Sequence, residues 1–328
     1  IFLFSSYVWS HAQNLSLSKS VKQRNPANIT IHGGPDTPRY EGDVEAYFAA
    51  NPHVDITVRN EGEVTVPHLL EALQAGRTDD GFDLEALRHV EGLCYRGHDG
   101  KVVRTPDRER IVDLDWIPSP YLTGLFSSYG DGVTTTAVIE TNRGCPYGCT
   151  FCDWGSATLS RIRKFSLERV YAELEWCAVN RVGRIFVADA NFGIMERDVD
   201  IAKKVAELHS QYGYPKQFVT NYAKNTTKYV KQIVQVMTDA GILTEGILSL
   251  QSMDAGTLKT IKRSNIKLEK YEELAREFRN AKLPLFVDLM LGLPGSSMTS
   301  FMDDIQQCVD REVTPKIHLT ELLVNSPM

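Results

Sequence analysis

Long apolar runs and an excess of positive charge are both missing from this sequence. No uninterrupted apolar stretch approaches the ~18 residues that a membrane-spanning helix requires. The 36 Lys and Arg residues are outnumbered by 42 Asp and Glu residues, so the net charge is −6. The basic overall balance typical of nucleic-acid-binding proteins is therefore absent. We predict that the chain neither crosses a membrane nor binds nucleic acid.

Cysteine is also scarce, and its distribution argues against the commonest structural uses. Three of the six cysteines crowd into residues 145–152, and the others are solitary: Cys94, Cys177 and Cys308. Three closely spaced cysteines cannot all pair with one another, and no histidine nearby completes a tetrahedral zinc site. We therefore expect reduced cysteines and a cytoplasmic protein.

The overall composition is that of a protein with a substantial core. The chain has 328 residues, of which 42% are hydrophobic and 24% charged, which favours about two domains. The apolar segment Ile1–Trp9 has no basic flank and no initiator methionine, so we interpret it as a buried strand rather than a signal peptide. Because the sequence also stops after a strand-like run, at Asn325–Met328, we expect it to be one stretch of a longer protein.

Residues 134–328 alternate short β-like runs with amphipathic helical runs, the pattern of parallel β/α units. The predicted strands are Thr134–Glu140, Arg184–Ala188, Gln217–Asn221, Gly246–Leu250, Leu285–Leu291 and Lys316–Leu323. The predicted helices are Leu167–Asn180, Asp198–Tyr212, Thr226–Ala240, Leu268–Ala281 and Ser300–Arg311. Ser166 and Thr299 are the expected N-caps, and Gly213 and Gly241 the expected stops. The pattern predicts a partial (β/α)6 barrel.

Residues 1–75 predict a different α/β domain. Strand-like runs at Ile1–Phe4, Ile29–His32 and Asp55–Val58 are separated by helical or loop segments, as in an incomplete doubly wound, Rossmann-like sheet. Residues 76–133 are interpreted as a connector that contains a β-hairpin around His98–Gly100 and a proline-rich crossing loop at Ile117–Tyr121.

The three clustered cysteines carry the clearest chemical signal. They are spaced Cys145-x-x-x-Cys149-x-x-Cys152, directly after an apolar β-branched run. Three thiolates on one short loop can hold three irons of a [4Fe–4S] cluster and leave the fourth iron open to a substrate or cofactor. Gly144 and Gly148 give the backbone freedom to wrap around such a cluster.

With Phe151 before the last cysteine, this motif resembles the signature of the radical S-adenosylmethionine (SAM) enzymes. The resemblance implies that the open iron chelates the amino and carboxylate groups of SAM. Reductive cleavage then yields methionine and a 5′-deoxyadenosyl radical that abstracts hydrogen from a substrate. The metal ligands implied are Cys145, Cys149 and Cys152. Phe151 is expected near the adenine, with an ordinary core aromatic as the alternative.

The N-terminal part resembles the cobalamin-binding domain that precedes the barrel in one subgroup of this family. The resemblance rests on Ser5-Ser-Tyr7-x-Trp9, Gly33-Gly34-Pro35, Asn60–Glu63 and the Pro-Ser-Pro-Tyr segment ending at Tyr121. It implies corrin contacts at the following positions: Ser5, Tyr7, Gly33, Gly34 and Glu61. The Asp-x-His-x-x-Gly motif of His-on cobalamin proteins is not seen. A structural turn explains the glycine pair equally well.

Polar residues at the ends of the predicted barrel strands are the expected SAM contacts. By resemblance, Asp189 or Asn191 would accept from the ammonium group, although either residue could instead cap the next helix. Further contacts with the ribose, carboxylate and adenine are expected from Gln251, Ser252, Arg263 and Gly292. Tyr222 is a possible substrate contact at the barrel mouth.

The resemblance implies a cobalamin-dependent radical SAM enzyme that methylates an unactivated carbon. The alternatives are a cyclase or rearrangement enzyme, a radical SAM enzyme without cobalamin, and a non-enzymatic cobalamin or Fe–S sensor. A small-molecule or peptide substrate and an electron donor such as flavodoxin or ferredoxin are the expected partners. The sequence does not identify the substrate.

Overall fold

The structure is a computed structural model, and it describes residues 1–79, 81–126, 135–153, 160–223, 228–265, 267–280 and 282–328. The chain divides into two compact units. Of the described residues, the first unit takes 1–112, 151–153 and 322–328, and the second takes 113–150 and 160–321. The predicted boundaries at 75/76 and 133/134 stay predictions.

The first unit is built on a five-stranded sheet with the order β1-β2-β3-β6-β7. Its strands, with a separate β4–β5 pair, are β1 Phe2–Ser5, β2 Thr30–Gly33, β3 Ile56–Val58, β4 Arg77–Thr78, β5 Gly81–Phe82, β6 Leu93–Arg96 and β7 Val102–Arg104. Its helices are α1 His11–Arg24, α2 Glu41–Ala50 and α3 Gly62–Ala75. β1, β2 and β3 are parallel, whereas β6 and β7 run antiparallel. The three predicted N-terminal strands are confirmed, but β1 is an exposed edge strand, so the prediction that Ile1–Trp9 forms a buried strand is wrong.

The predicted hairpin is also present, but it belongs to this sheet. β6 and β7 pair with each other, and β6 pairs with β3, so the hairpin extends the parallel strands by an antiparallel edge. Ile31 and Ile56 pack with Leu69 and Leu73 of α3 in the unit's larger apolar cluster. A second cluster forms around Phe48 of α2.

The second unit contains six parallel strands in the order β8-β11-β12-β13-β14-β15. Its strands, including a separate β9–β10 pair, are β8 Thr136–Ile139, β9 Asn142–Arg143, β10 Arg163–Lys164, β11 Arg184–Phe192, β12 Gln217–Tyr222, β13 Leu243–Gln251, β14 Leu285–Leu291 and β15 Thr314–Leu319. Its helices are α4 Leu167–Val179, α5 Arg197–Tyr212, α6 Lys228–Asp239, α7 Ala255–Thr260, α8 Leu268–Asn280 and α9 Met298–Asp310. This confirms the predicted α/β class and partial barrel, with β8 and β15 as the edges of the sheet.

Most of the predicted helix ends are confirmed, and one is wrong. Ser166 caps α4 by accepting a hydrogen bond from the backbone N–H of Arg169, and Gly213 ends α5 with φ 75°. Thr299 does not cap α9. The cap is Ser297, which accepts from the N–H of Ser300, and the Ser300 hydroxyl accepts from the N–H of Ser297 in return. Among the described residues, every helix is either too short or too polar to reach across a lipid bilayer.

Candidate cofactor site

Polar residues and glycines collect at one edge of the six-stranded sheet. The strands are parallel, so their carboxyl ends share an edge, which is where α/β proteins bind ligands. The cysteine loop follows β8 and β9, Asp189 and Asn191 lie at the end of β11, and Gln251 ends β13. The sheet thus places these sequence-predicted residues at one edge.

The cysteine loop starts from a fixed backbone geometry. β9 pairs with β10 in an antiparallel two-stranded ribbon. Gly144 follows β9 with φ 119°, and a Cβ at this position would lie 2.6 Å from the carbonyl oxygen of Arg161. The next residue, Cys145, accepts a backbone hydrogen bond from Ser160 at 3.0 Å. Glycine is therefore required here for close backbone approach.

The sulfurs of Cys145 and Cys149 accept hydrogen bonds from buried side chains of the second unit. Asn191 Nδ2 lies 3.4 Å from Cys145 Sγ, and Arg263 Nη1 lies 3.5 Å from Cys149 Sγ. Both cysteines are buried, Cys152 is half-buried, and none of the three forms a disulfide with a described residue. Among the described side chains, no three His, Cys, Asp or Glu groups converge on a single metal ion. Thiols with hydrogen-bond donors at sulfur fit an iron–sulfur cluster, which spreads its ligands over several irons.

Asp189 supports the strand-to-loop transition that precedes the first cysteine. Its Oδ1 accepts from the backbone N–H groups of Thr141 and Asn142 at 2.8 and 3.2 Å. Its Oδ2 accepts from the Thr141 hydroxyl and from Asn142 Nδ2. The side chain is fully buried, and burial raises the pKa of Asp189 to about 7. The four donors thus hold this carboxyl group against the segment just before the cysteine loop.

Asn191 differs from Asp189 because half of its amide remains available. The side chain is buried, and its Nδ2 is used by Cys145. Its Oδ1 has no hydrogen-bond partner among the described residues. A buried carbonyl oxygen without a partner costs free energy unless a ligand or water donates to it. Of the two predicted ammonium acceptors, Asn191 therefore has the geometry of a ligand contact.

The end of β13 combines a strained residue with a well-anchored one. Gln251 is buried and has φ 69°, a left-handed conformation that is rare for a side chain of this kind. The neighbouring Ser252 donates through its hydroxyl to Asp304 Oδ2 at 2.7 Å, and Asp304 Oδ1 accepts from the Met253 N–H at 2.9 Å. Strain of this kind clusters at functional sites, so Gln251 is the more informative of the two residues.

Two further residues predicted from the sequence, Gly292 and Tyr222, lie in a turn and in the core, respectively. Gly292 has φ 92° in the turn after β14, and its Cβ position is close only to Thr320, at 3.9 Å. Tyr222 is fully buried, its hydroxyl lies 3.2 Å from Thr244 Oγ1, and its ring packs edge-on against Phe278 of α8. The prediction that Tyr222 contacts substrate at the barrel mouth is wrong, because hydrogen bonding and helix packing hold it in the core.

A hydrogen-bonded row on the second half of the sheet was missed by the sequence analysis. Alternate residues of β14 are buried beneath α8 and α9, which leaves Phe286 and Asp288 on the opposite face. Ser249 Oγ donates to Asp288 Oδ2 at 2.9 Å, and His318 Nε2 lies 3.2 Å from Asp288 Oδ1. Lys316 Nζ lies 3.7 Å above the Phe286 ring. These residues lie on different strands, and they come together only through the order of the strands in the sheet, which cannot be read from the sequence.

In the first unit, the predicted corrin contacts follow the carboxyl ends of parallel strands. Gly34 has φ 99°, and a Cβ there would lie 2.6 Å from the backbone oxygen of Ser6. The Ser6 N–H donates to the Gly33 carbonyl oxygen, so the loops after β1 and β2 are in direct contact. Ser5 accepts from Asn14 Nδ2 at 2.8 Å, whereas Tyr7 is exposed and stacks on Trp9. Gly34 is therefore required by the turn itself, and the corrin contact of the glycine pair stays a prediction.

The loop after β3 is hydrogen-bonded to the end of residues 1–112, the first segment of this unit. Glu61 precedes α3, and its Oε2 accepts from the Ile111 N–H at 2.9 Å. Asp153, one residue after the last motif cysteine, is buried and lies 3.3 Å from Arg39 Nη2. Asn325 Nδ2 donates to the carbonyl oxygens of Pro35 and Thr37, both at 2.9 Å. Phe151, also in this unit, is half-buried.

Residues 139–308 match the model of the radical SAM superfamily, which covers the cysteine motif and most of the six-stranded sheet. The chain belongs to the radical SAM superfamily. This confirms the family predicted from the Cys145–Cys152 motif, and with it the [4Fe–4S] cluster and SAM as the cofactors of the superfamily.

Two relatives whose names state a methyltransferase activity match this chain over its whole length. The sequence is 38% identical over 339 residues to the cobalamin-dependent radical SAM methyltransferase TokK of Streptomyces tokunonensis. It is 37% identical over 339 residues to 2-(S-pantetheinyl)-carbapenam-3-carboxylate methyltransferase of Streptantibioticus cattleyicolor. Each match covers 100% of this chain and 48% of the relative, so the chain spans about half the length of these relatives.

The fold has a solved counterpart. The radical SAM methyltransferase TsrM from Kitasatospora setae, determined with cobalamin and a [4Fe–4S] cluster bound, superposes with a TM-score of 0.70 over 97% of this chain and 59% of that one. The sequence identity is 16%, so this likeness concerns the fold.

Proposed function

We propose that this chain is the cofactor-binding part of a cobalamin-dependent radical SAM enzyme that methylates an unactivated carbon. The observation that carries the proposal is the cysteine loop at the carboxyl edge of the sheet, with buried hydrogen-bond donors on the Cys145 and Cys149 sulfurs. Similarity of the whole of this chain to about half of each of two methyltransferases, one named as cobalamin-dependent, supports the methyl-transfer part.

In this proposal the three motif cysteines, together with strand-end residues of the second unit, bind and orient the cofactors. Cys145, Cys149 and Cys152 hold the cluster, and Asn191 Oδ1 accepts from the SAM ammonium group. Gln251 and the Gly292 turn approach the rest of SAM. When bound, the cluster supplies the electron that cleaves SAM to a 5′-deoxyadenosyl radical, and the corrin supplies the methyl group that the substrate radical takes.

The first unit is proposed to hold the corrin. Its strand-end loops, which contain Ser5, Tyr7, Gly33, Gly34 and Glu61, share the carboxyl edge of a Rossmann-like sheet. The relative TokK is named as cobalamin-dependent. An electron donor such as flavodoxin or ferredoxin would reduce the cluster, and six cysteines without a disulfide among the described residues fit a cytoplasmic enzyme.

We propose a carboxylate-bearing small molecule as the substrate. Lys316 and His318 lie two residues apart on the face of the sheet opposite α8 and α9, together with Ser249 and Asp288. A lysine and an Asp-paired histidine can bind an anionic group. Because one relative is named for a carbapenam-3-carboxylate, 2-(S-pantetheinyl)-carbapenam-3-carboxylate is the first compound to test.

The test uses the full-length parent protein, reconstituted anaerobically with iron, sulfide and hydroxocobalamin and then reduced in the presence of SAM and this compound. We expect a retained corrin spectrum, 5′-deoxyadenosine, and a product in which one C–H hydrogen is replaced by a methyl group. Deoxyadenosine without bound corrin would overturn the cobalamin assignment. Deoxyadenosine with corrin but with an unmethylated, rearranged product would replace methyl transfer by cyclisation or rearrangement.

A further inference from the structure

The guanidinium group of Arg263 lies beside one of the motif sulfurs. Its Nη1 is 3.5 Å from Cys149 Sγ, and each residue is 7% exposed. Arginine keeps its charge at any ordinary pH, so this sulfur has a permanent cation as its neighbour. The contact at Cys145 is different, because its donor is the neutral amide of Asn191.

The Arg263 side chain is held in this position from two further sides. Its Nε donates to Asn265 Oδ1 at 2.8 Å, and its Nη2 donates to the backbone oxygen of Ser249. Asn265 is itself fixed, since its Nδ2 donates to the backbone oxygens of Leu250 and Ser252 at 3.0 and 2.8 Å. The cation is therefore oriented by the end of β13 and does not depend on the sulfur alone.

The backbone holds the same arrangement together. Arg263 follows α7, and its N–H donates to the Leu258 carbonyl oxygen at 2.9 Å. Lys262 before it has φ 52°, which turns the chain at this point. The Ile261 carbonyl oxygen accepts from the N–H of Thr150, the residue after Cys149, at 3.1 Å. The fold thus links the turn that carries the cation directly to the cysteine loop.

We infer that Arg263 is a positioning residue that fixes the Cys149 thiolate and raises the reduction potential of the [4Fe–4S] cluster. Reduction adds one negative charge to the cluster, and a fixed cation that donates to a ligand sulfur favours the more negative form. This role is separate from the SAM-carboxylate contact expected from the sequence, which stays a prediction. The inference rests on the cluster of the proposed function and is independent of substrate, corrin and methyl transfer.

The test is a potentiometric titration of the reconstituted full-length protein, followed by electron paramagnetic resonance and carried out without SAM. Arg263→Gln removes the charge and should shift the midpoint potential to a more negative value. Arg263→Lys keeps the charge but loses the fork geometry, so its shift should have the same sign and be smaller. Lys259→Gln removes an exposed charge from the neighbouring helix α7 and should leave the potential unchanged.

The result that overturns the inference is an unchanged potential in Arg263→Gln protein with wild-type iron content. If Arg263→Gln takes up no iron, Asn265→Ala decides, because it keeps the cation and removes its Nε acceptor, together with the two hydrogen bonds that Asn265 donates to the backbone. A negative shift in Asn265→Ala then supports the inference, and an unchanged potential overturns it. A wild-type protein that binds no cluster would instead refute the proposed function itself. Because SAM is absent, a lost SAM contact cannot produce the shift.

Discussion

At the scale of single residues, replacing Cys149 tests whether this side chain is needed for cluster binding but not for folding. Cys149 lies on the loop after β9, outside the six-stranded sheet. We therefore expect Cys149→Ala to abolish 5′-deoxyadenosine formation while lowering the free energy of unfolding by no more than about 1 kcal/mol. Product analysis and urea unfolding of the metal-free proteins measure the two effects.

Cys177→Ala is the matched control for that substitution. Cys177 is fully buried in α4, and burial raises the pKa of its thiol to about 12, so it is an inert packing residue. Its replacement should lower the free energy of unfolding by about 1–2 kcal/mol and leave iron uptake intact. Retained SAM cleavage in the Cys149→Ala protein would refute the ligand assignment.

Substitutions of Asp189 distinguish a role in positioning the cysteine loop from a role in binding SAM. Asp189→Ala leaves four donors of Thr141 and Asn142 without their acceptor, so we expect a loss of about 3–5 kcal/mol in the free energy of unfolding and reduced iron uptake. Asp189→Asn should be milder, because an amide oxygen still accepts from the two backbone N–H groups. Urea unfolding and iron analysis measure both.

The control for the Asp189 variants is Asp200→Asn on α5, whose carboxylate is 48% exposed. This control should stay within about 0.5 kcal/mol of the wild type. An Asp189→Asn protein of full stability and full iron content that no longer binds SAM would refute the positioning role. That result would restore the contact with the SAM ammonium group.

At the scale of elements, the predictions succeeded where hydrophobic periodicity reflects burial. They failed where side-chain hydrogen bonds determine the residue at which a strand ends or a helix begins. β14 is predicted to the residue. β11 was expected to end at Ala188 but continues through Phe192, because donors from the neighbouring loop allow Asp189 to be buried. The cap of α9 is Ser297 and not the predicted Thr299, and its partner Ser300 is not the Glu or Gln of the usual capping box.

In the candidate site, the sequence predicted what depends on local spacing and missed the contacts between residues that are distant in the chain. The spacing of Cys145, Cys149 and Cys152 is local in sequence and predicts the cluster directly. The contact of Arg263 with Cys149 joins residues 114 positions apart, so it depends on the turn after α7 and on strand order. The row from Ser249 to His318 likewise depends on β13, β14 and β15 being neighbours. No pattern within a single segment encodes such contacts.

The loop after β2 offers a test of the close contact between two strand ends. Gly34→Ala puts a Cβ at φ 99° and 2.6 Å from the Ser6 oxygen, so we expect a loss of about 2 kcal/mol or more in the free energy of unfolding. Gly42→Ala on α2 is the control, since its Cβ meets nothing within 4 Å and alanine favours a helix. It should be neutral or stabilising. Equal effects of the two substitutions on urea unfolding would contradict the account of the Gly34 turn.

At the scale of the whole molecule, the two units carry buried titratable groups whose pKa values shift in opposite senses. In the second unit, burial raises the pKa of Asp189 to about 7 and that of Asp198 to about 6. The folded unit therefore binds more protons than the unfolded chain between pH 3.8 and these values. The contribution of these groups to stability accordingly falls as pH rises through this window.

The first unit contains the opposite case. His32 is fully buried and stacks on Phe4, and neither ring nitrogen has a hydrogen-bond partner among the described residues. Burial, followed by the charges of His53 and His11, lowers the pKa of His32 from 6.5 to about 4. The unfolded chain binds the proton first, so stability is lost as pH falls from 6.5 towards 4.

Acid should therefore weaken the first unit through His32 while the carboxyl groups of the second unit oppose that trend. The lowered pKa is equivalent to about 3 kcal/mol once the unfolded histidine is charged and the folded one is not. His32→Phe keeps an aromatic ring against Phe4 and removes the titration, so its unfolding free energy should fall less than the wild type's between pH 7 and pH 5. Urea unfolding, with each unit followed by hydrogen exchange of its own peptides, measures the difference. A His32→Phe protein whose first unit is as acid-sensitive as the wild type would show that another group controls it.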